Sequence, residues 1–335
     1  MRIQNNLIDV KMETAVPGLV FRHFRGDEDI PAMVEIINRS NIVDGNDWTT
    51  TVEETRSNYR HMTNCDPYQD MVFAEVHGEM IGYSRCWWEV QLDGIHNYAH
   101  FAQLRPDWRG EGIRRAMLQF NESRLRQIAK SHPSNGTKFL TSFASDGDVN
   151  WAEALQDEGY KPVRYFVRMV RPSLHNIPNY PLPENIEVRQ GSHTEWRKIW
   201  EACREAFKDN WGETEWTDED FHAWSEQPSF DPTLFQIGWN GTEVAGGVLN
   251  YIDTKENEAF GRLRGNTEGI FVRQFWRGQG LAKALIARSL QVLKKEGMEE
   301  AALGVDTEDT TGAVQLYTGL GFQADKLSAT YRKPL

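Results

Sequence analysis

Apolar positions along this chain switch repeatedly between a two-residue and a three-to-four-residue period, and the sequence of switches runs through the same order twice. A β-branched and aromatic run at 19–22 predicts a strand, Pro31 sits in the opening turn of a helix over 29–38, and helical spacing returns at 52–61. Runs at 71–76 and 81–88, on either side of His77-Gly78-Glu79-Met80, predict a hairpin. A strand at 97–104, a helix at 112–130, a strand at 138–143, a short helix at 149–158 and a strand at 163–170 follow. The order β, α, α, β, β, β, α, β, α, β then restarts at 186–189. Helical patterns at 194–207 and 218–226 precede a second hairpin, 234–239 with 244–252, which turns at Asn240-Gly241, a pair suited to a tight type I′ turn.

The densest chemistry lies in the second copy. Ile270, Phe271 and Val272 read as a strand, the following residues as a turn, and 281 onward as a helix. Leu281, Ala282, Leu285, Ile286, Ser289, Leu290 and Leu293 fall on one half of the wheel and Lys283, Arg288, Gln291, Lys294 and Lys295 on the other, which is the pattern of a helix lying on a sheet. Gly278 and Gly280 lack a Cβ, so an anion can approach the main chain there. The free N–H groups of the Leu281 helix point at the same place, Arg277 adds a cation, and Ala282 keeps the first turn small. Such a site suits a pyrophosphate. A dinucleotide fold would instead need Gly-x-Gly-x-x-Gly and an acidic residue about 20 positions on. Neither is present.

The spacing Arg277-x-x-Gly280-x-Ala282 resembles the pyrophosphate loop of the GNAT superfamily of acyl-CoA N-acyltransferases, and Ala313 to Tyr317 with Gly321-Phe322 resembles that family's C-terminal motif. The resemblance implies an α/β fold in which a mixed, largely antiparallel sheet is flanked by helices. It implies acetyl-CoA as co-substrate, held by Ile270, Phe271, Val272, Arg277, Gly278, Gln279, Gly280, Leu281, Ala282 and Thr310, with Tyr317 as the acid that protonates the departing thiolate. Tyr317 also has the spacing of an aromatic that anchors a short helix through Ala313, Leu316 and Leu320. Glu268 alternates with Ile270 and Val272 along the strand, where a carboxylate is in reach of the acceptor's proton or is simply a solvated strand-end group; Asn266 shares its face. The segment after the second copy's first helix usually walls the acceptor site in this family. That points to 207–212 and Trp216, with Asp209 and Trp211 as ligands of an ammonium group, although twelve tryptophans in the chain make core packing a competing explanation.

Two offsets support a tandem repeat. Arg109-Gly110-Glu111-Gly112 precedes Arg277-Gly278-Gln279-Gly280 by 277 − 109 = 168 positions, and Gly159-Tyr160 precedes Gly321-Phe322 by 321 − 159 = 162. The organisation resembles two-domain, mycothiol synthase-like GNAT proteins, and predicts a first domain over 1–172, a linker over 173–185 that contains three prolines, and a second domain over 186–335. The first copy departs from the pattern. It has Arg114 where Ala282 stands and Leu155 where Tyr317 stands, so it offers no acid. Arg114 either fills the phosphate site as a structural cation or clamps a phosphate itself.

Composition narrows this only at the edges. A length of 335 residues fits two domains, and 39% hydrophobic with 26% charged residues is ordinary for a water-soluble chain. No apolar run nears the ~20 residues of a membrane span, and the N-terminus lacks the core of a signal peptide, so the expectation is a cytoplasmic protein. Three scattered cysteines offer neither a disulfide framework nor zinc spacing, and a net charge of −12 argues against general nucleic-acid binding while favouring a cationic acceptor. The sequence therefore predicts an N-acetyltransferase acting on a primary amine of a small acceptor through its second domain, without a metal. A non-catalytic acyl-CoA sensor and a protein or peptide N-acetyltransferase are the alternatives. Oligomeric state is not legible.

Overall fold

The computed structural model describes residues 6–12 and 15–335. Two compact units are present: one takes in the chain up to Arg164 together with Ser328–Leu335, and the other is Tyr165–Leu327. In chain order the first contains β1 (Leu7–Ile8), β2 (Leu19–Arg22), α1 (Ile30–Val43), α2 (Val52–Arg60), α3 (Pro67–Asp70), β3 (Met71–Val76), β4 (Glu79–Val90), β5 (His96–Leu104), α4 (Ile113–Ala129), β6 (Lys138–Ser145) and α5 (Val149–Asp157). β7 (Lys161–Arg171) carries the chain into the second unit. That unit holds β8 (Glu187–Arg189), α6 (Trp196–Phe207), α7 (Asp218–Ser225), β9 (Gln236–Asn240), β10 (Glu243–Tyr251), α8 (Thr254–Phe260), β11 (Arg264–Val272), α9 (Leu281–Lys295), β12 (Glu300–Asp306) and α10 (Ala313–Gly319). β13 (Gln323–Pro334) begins in the second unit and ends in the first.

In the first unit β1 to β5 pair antiparallel in sequence, β6 lies parallel to β5, and Ser328–Leu335 closes the sheet antiparallel to β6. Two-residue alternation sorts the side chains: Met71 and Phe73 pack with Ile30, Met33 and Ile36 of α1, while Val72, Ala74 and Val76 pack with Ile113, Met117 and Leu125 of α4. α2 starts at a capping box in which Thr51 and Glu54 satisfy each other's backbone N–H groups.

The second unit repeats this plan. β8, β9, β10 and β11 pair antiparallel, β12 runs parallel to β11, and the Phe166–Arg171 part of β7 pairs antiparallel with β12. α9 buries Leu281, Leu285, Leu290 and Leu293 on one face of this sheet, at roughly 1.5–3 kcal/mol of transfer free energy each, and Ile199 and Cys203 of α6 lie on the other with Ile237 and Trp239. A polar tie from helix to sheet occurs in both units with the residue types exchanged. Ser289 of α9 donates to Asn250 Oδ1 at 2.6 Å, and Ser84 of β4 donates to Asn121 Oδ1 of α4 at 3.1 Å.

The packing divides the chain differently from the expected 1–172, 173–185 and 186–335. The proline-rich segment lies within the second unit: Leu174 is buried in its core and Ile177, Tyr180 and Leu182 pack against it. Apolar residues spaced among the prolines anchor this stretch, so it is not a spacer.

Candidate active site

β11 pairs with parallel β12 over three positions only, Arg264↔Glu300, Gly265↔Ala301 and Asn266↔Ala302. Beyond Asn266 the strands part, and the β12-facing edge of β11 is released from the ladder. Just there, the antiparallel pairing with β10 slips by one residue between Leu249↔Glu268 and Gly247↔Phe271, so that Gly269 and Ile270 oppose Val248 alone. Gly269 has φ 51°, the left-handed conformation such a bulge needs. The bulge overturns the expected alternation: Glu268 shares a face with Phe271 rather than with Ile270 and Val272. Phe271 belongs to the α6-side core, whereas Ile270 and Val272 pack on the α9 side. Asn266 and Glu268 remain on one face, as expected from the sequence.

Glu268 borders a cavity of about 610 Å³ whose walls include Trp200, Cys203 and Phe207 of α6, Trp216, Trp224 of α7, Phe230, Phe235, and Leu249 to Tyr251 of β10. Its Oε1 accepts the Gly304 N–H at 3.1 Å. Burial raises its carboxyl to about 7, against the lowering effect of that hydrogen bond. Tyr317 lies on α10, buried and edge-on to Phe322 at 6.2 Å between ring centroids. Burial, then the charges of Glu268 and Asp309, raise its phenol well above the ordinary value, so it stays protonated. Tyr317 packs in the core of the second unit, where the charge of Glu268 reaches it.

The glycine turn has the anticipated shape. Gly278 (φ 75°) and Gly280 (φ 83°) are left-handed, a Cβ on either would meet nothing within 4 Å, and Gly280 caps α9 without a side chain. The first N–H groups of α9 therefore face open space beside exposed Gln279 and half-buried Ala282. Arg277 does more than supply charge: Nε donates to Val272 O at 2.9 Å and Nη2 to Ala206 O at 3.0 Å, tying the turn to β11 and to α6. Thr310 is exposed on the loop before α10. Asp209 is exposed and Trp211 packs on Phe166 at 6.3 Å, and neither lines the cavity. The chain instead returns through α7, capped by Thr217, which brings Asp220 and Trp224 to the wall.

The corresponding place in the first unit is plugged. Its backbone matches, with Gly110 at φ 92° and Gly112 at φ 77° capping α4. Arg114, however, donates to both Asp148 oxygens (2.7 and 2.6 Å) and to Ala102 O (2.8 Å), and its guanidinium lies 4.7 Å from the Trp151 ring centroid. Burial opposes Asp148 ionising, but the Arg114 hydrogen bonds and charge hold its carboxyl below the ordinary range. Arg114 is a structural cation with no free fork. The counterpart of Glu268 is His100 (268 − 168 = 100), fully buried and bonded to the Tyr160 hydroxyl at 2.7 Å; burial, then Lys333, lowers it to about 3, so it is neutral. Ser142, counterpart of Gly304 (304 − 162 = 142), donates to His100 O at 2.8 Å and accepts the Trp151 indole N–H at 3.2 Å. β4 and β5 keep one register from Gly82↔Leu104 to Val90↔His96, without a bulge.

Sequence reasoning missed Gly304, Gly269 and the cavity residues Asp220 and Trp224. Extending the repeat offset of 162 through β12 and into α10 pairs Gly304 with Ser142 and Ala313 with Trp151.

A mixed sheet split at a parallel pair, a bulged strand beside the split and a glycine-capped helix make up the fold of an N-acetyltransferase of the GNAT type. The chain belongs to that family, in its tandem two-domain branch: residues 196–322 match the model described as "Acetyltransferase (GNAT) family". It is similar to mycothiol acetyltransferases from Salinispora tropica (31% identical, over 68% of this chain and 74% of the relative) and Geodermatophilus obscurus (26%, 79% and 82%). The fold is also that of a GCN5-related N-acetyltransferase from Sphaerobacter thermophilus, with TM-score 0.72 and 23% identity over 96% of this chain and 97% of that one. A tandem GNAT protein of the clavulanic acid biosynthesis pathway gives 0.68 and 12% over 94% and 98%. Among the described residues, no helix is long and apolar enough to cross a membrane.

Proposed function

We propose that the second unit transfers the acetyl group of acetyl-CoA to a primary amine of a small acceptor, and that the first unit is a structural copy that binds no acetyl-CoA. Bound acetyl-CoA supplies an activated thioester carbonyl; the remaining chemistry falls to this chain's residues. The α9 N-terminus with Gly278, Gln279, Gly280, Leu281 and Ala282 takes the pyrophosphate, and exposed Thr310 is assigned to the same cofactor. The released edge of β11 offers main-chain N–H groups at 270–272 to an extended thiol arm and to the carbonyl oxygen as it gains charge. Glu268 accepts a proton from the amine, directly or through water, and Tyr317 gives one to the departing sulfur. Asp209 and Trp211 are not in this assignment. Small-molecule chemistry fits the relatives' name, mycothiol acetyltransferase, and a donor of this kind suits a cytoplasmic setting.

The observation that carries the reading is the position of Glu268, a carboxyl poised to change charge near neutral pH, at the junction of bulge, strand split and cavity. Incubation with acetyl-CoA and a panel of amines, with thiol release followed, tests it. Turnover that falls in both Glu268→Gln and Tyr317→Phe is expected. Acetyl-CoA binding with no turnover on any amine overturns it in favour of a sensor.

A further inference from the structure

The cavity beside Glu268 has a chemistry specific enough to name the kind of amine it takes. We propose that the acceptor is an ammonium carried on an aromatic or alicyclic apolar body that bears no carboxylate or phosphate. This rests on the reading of the second unit as the transfer site.

Three separate segments converge to make the wall apolar. Trp200 and Phe207 come from α6, Trp216 and Trp224 from the loop before α7 and from α7 itself, and Phe230 and Phe235 from the stretch leading into β9. The rings brace one another, with Trp200–Trp216 at 5.3 Å, Trp224–Phe230 at 4.8 Å and Trp224–Phe235 at 6.0 Å between centroids. They nonetheless leave about 610 Å³ open, within the range of pockets that enclose a small organic molecule. A pre-braced aromatic wall around open space is a binding surface for a flat or ring-shaped apolar body, held with little ordering cost.

The charges of the cavity all have one sign. Among the described residues, the carboxyls that line it are Asp220 and Glu268, and no lysine, arginine or histidine does. Arg197 and Arg204 lie over Trp200, at 4.9 and 5.7 Å from its ring, but are not part of the lining, and Arg197 is paired with Glu201 and Asp218. A carboxylate or phosphate on the acceptor would lose its water here without gaining a cation. An ammonium gains Glu268 and the ring faces, and Asp220, whose Oδ2 is held by Thr217, adds a second carboxyl to the wall. A polyhydroxylated acceptor meets Thr214, Gln227, Ser229, Asn250 and Tyr251 against six Trp and Phe rings, and Asn250 already spends its amide on Leu234 O and accepts from Ser289. The transfer balances as in the proposed reaction. The nitrogen lone pair forms the C–N bond as the C–S bond breaks, the ammonium loses one proton to water before attack and a second to Glu268, and Tyr317 protonates the thiolate.

The test uses the full chain with acetyl-CoA and three amines: phenethylamine, L-phenylalanine, which is the same body with a carboxylate, and glucosamine, which is a hydroxylated amine. Thiol release should give phenethylamine a kcat/KM at least ~10-fold above both others, and Trp224→Ala should remove about that advantage. Equal or better use of phenylalanine or glucosamine overturns the class while leaving the transfer site standing. If no amine releases thiol, the transfer reading fails, and the emission of Trp200, Trp216 and Trp224 then decides the class alone. A saturable change with phenethylamine but not with phenylalanine upholds it, and no change with phenethylamine overturns it.

Discussion

Burial raises both acids of the candidate site, and the two effects serve different steps. Tyr317, raised by burial and then by Glu268 and Asp309, is a phenol at any physiological pH and is available as a donor. Tyr317→Phe should therefore leave acetyl-CoA affinity unchanged and lower turnover by about 10²-fold, the scale of a lost general acid, read by single-turnover kinetics. Unaltered turnover with chemistry rate-limiting returns Tyr317 to its packing role against Phe322. Glu268, at about 7, is protonated and useless as a base below neutrality, so kcat/KM should rise with pH through a midpoint near 7. Glu268→Gln should abolish that limb and cost roughly 10²- to 10⁴-fold in turnover. The same residue makes a stability prediction. Its folded value lies above the ordinary 4.5, so the folded state favours the protonated form; stability is fully present below about 4.5 and is lost as pH rises to about 7. Glu268→Gln should then be more stable than the parent at pH 8, by roughly 3 kcal/mol at most, and equal to it near pH 4. Identical melting curves at pH 8 would show that Glu268 is well solvated.

At the scale of elements, the bulge, the strand split and the glycine turn do the positioning. Gly280 has room for a side chain but a left-handed backbone, so Gly280→Asp carries a backbone cost as well as a charge facing the anion site. Gly112→Asp, at the matching cap of α4, carries the same backbone cost without that role. Calorimetry should show acetyl-CoA binding weakened by a few kcal/mol in the former and unchanged in the latter, with comparable losses in melting temperature. The turn was legible because its signal is local: glycine spacing, a cation and an amphipathic run within about four helical turns. Glu268 was also legible as a candidate, but not its facing, since a single extra residue at Gly269 reverses two-residue alternation and leaves no trace in composition. Asp209 and Trp211 do not line the cavity, for the opposite reason. They follow α6 in the chain, but a loop's direction is decided by what it packs on, and α7 returns Trp224 and Asp220 to the wall in their place.

For the whole molecule, the duplication was readable from offsets of 168 and 162, while the membership of the two units was not. Nothing in the pattern of β13 announces that Ser328–Leu335 completes the sheet of the first unit, because a strand's partner is chosen by register and edge availability and not by its own alternation. The asymmetry between units is physical: Arg114 with Asp148, Trp151, His100 with Tyr160, and Ser142 occupy the space that Ala282, Ala313, Glu268 and Gly304 leave open. Arg114→Ala should cost about 3–5 kcal/mol of stability, because it strands the buried Asp148 carboxylate. It should not create an acetyl-CoA site, since that carboxylate would face the incoming phosphate. The most direct test of the account is the stoichiometry of acetyl-CoA binding to the unmodified chain by isothermal titration, repeated with Gly280→Asp. One site per chain, lost in Gly280→Asp, is the predicted result; two sites, or a single site that survives Gly280→Asp, would contradict it.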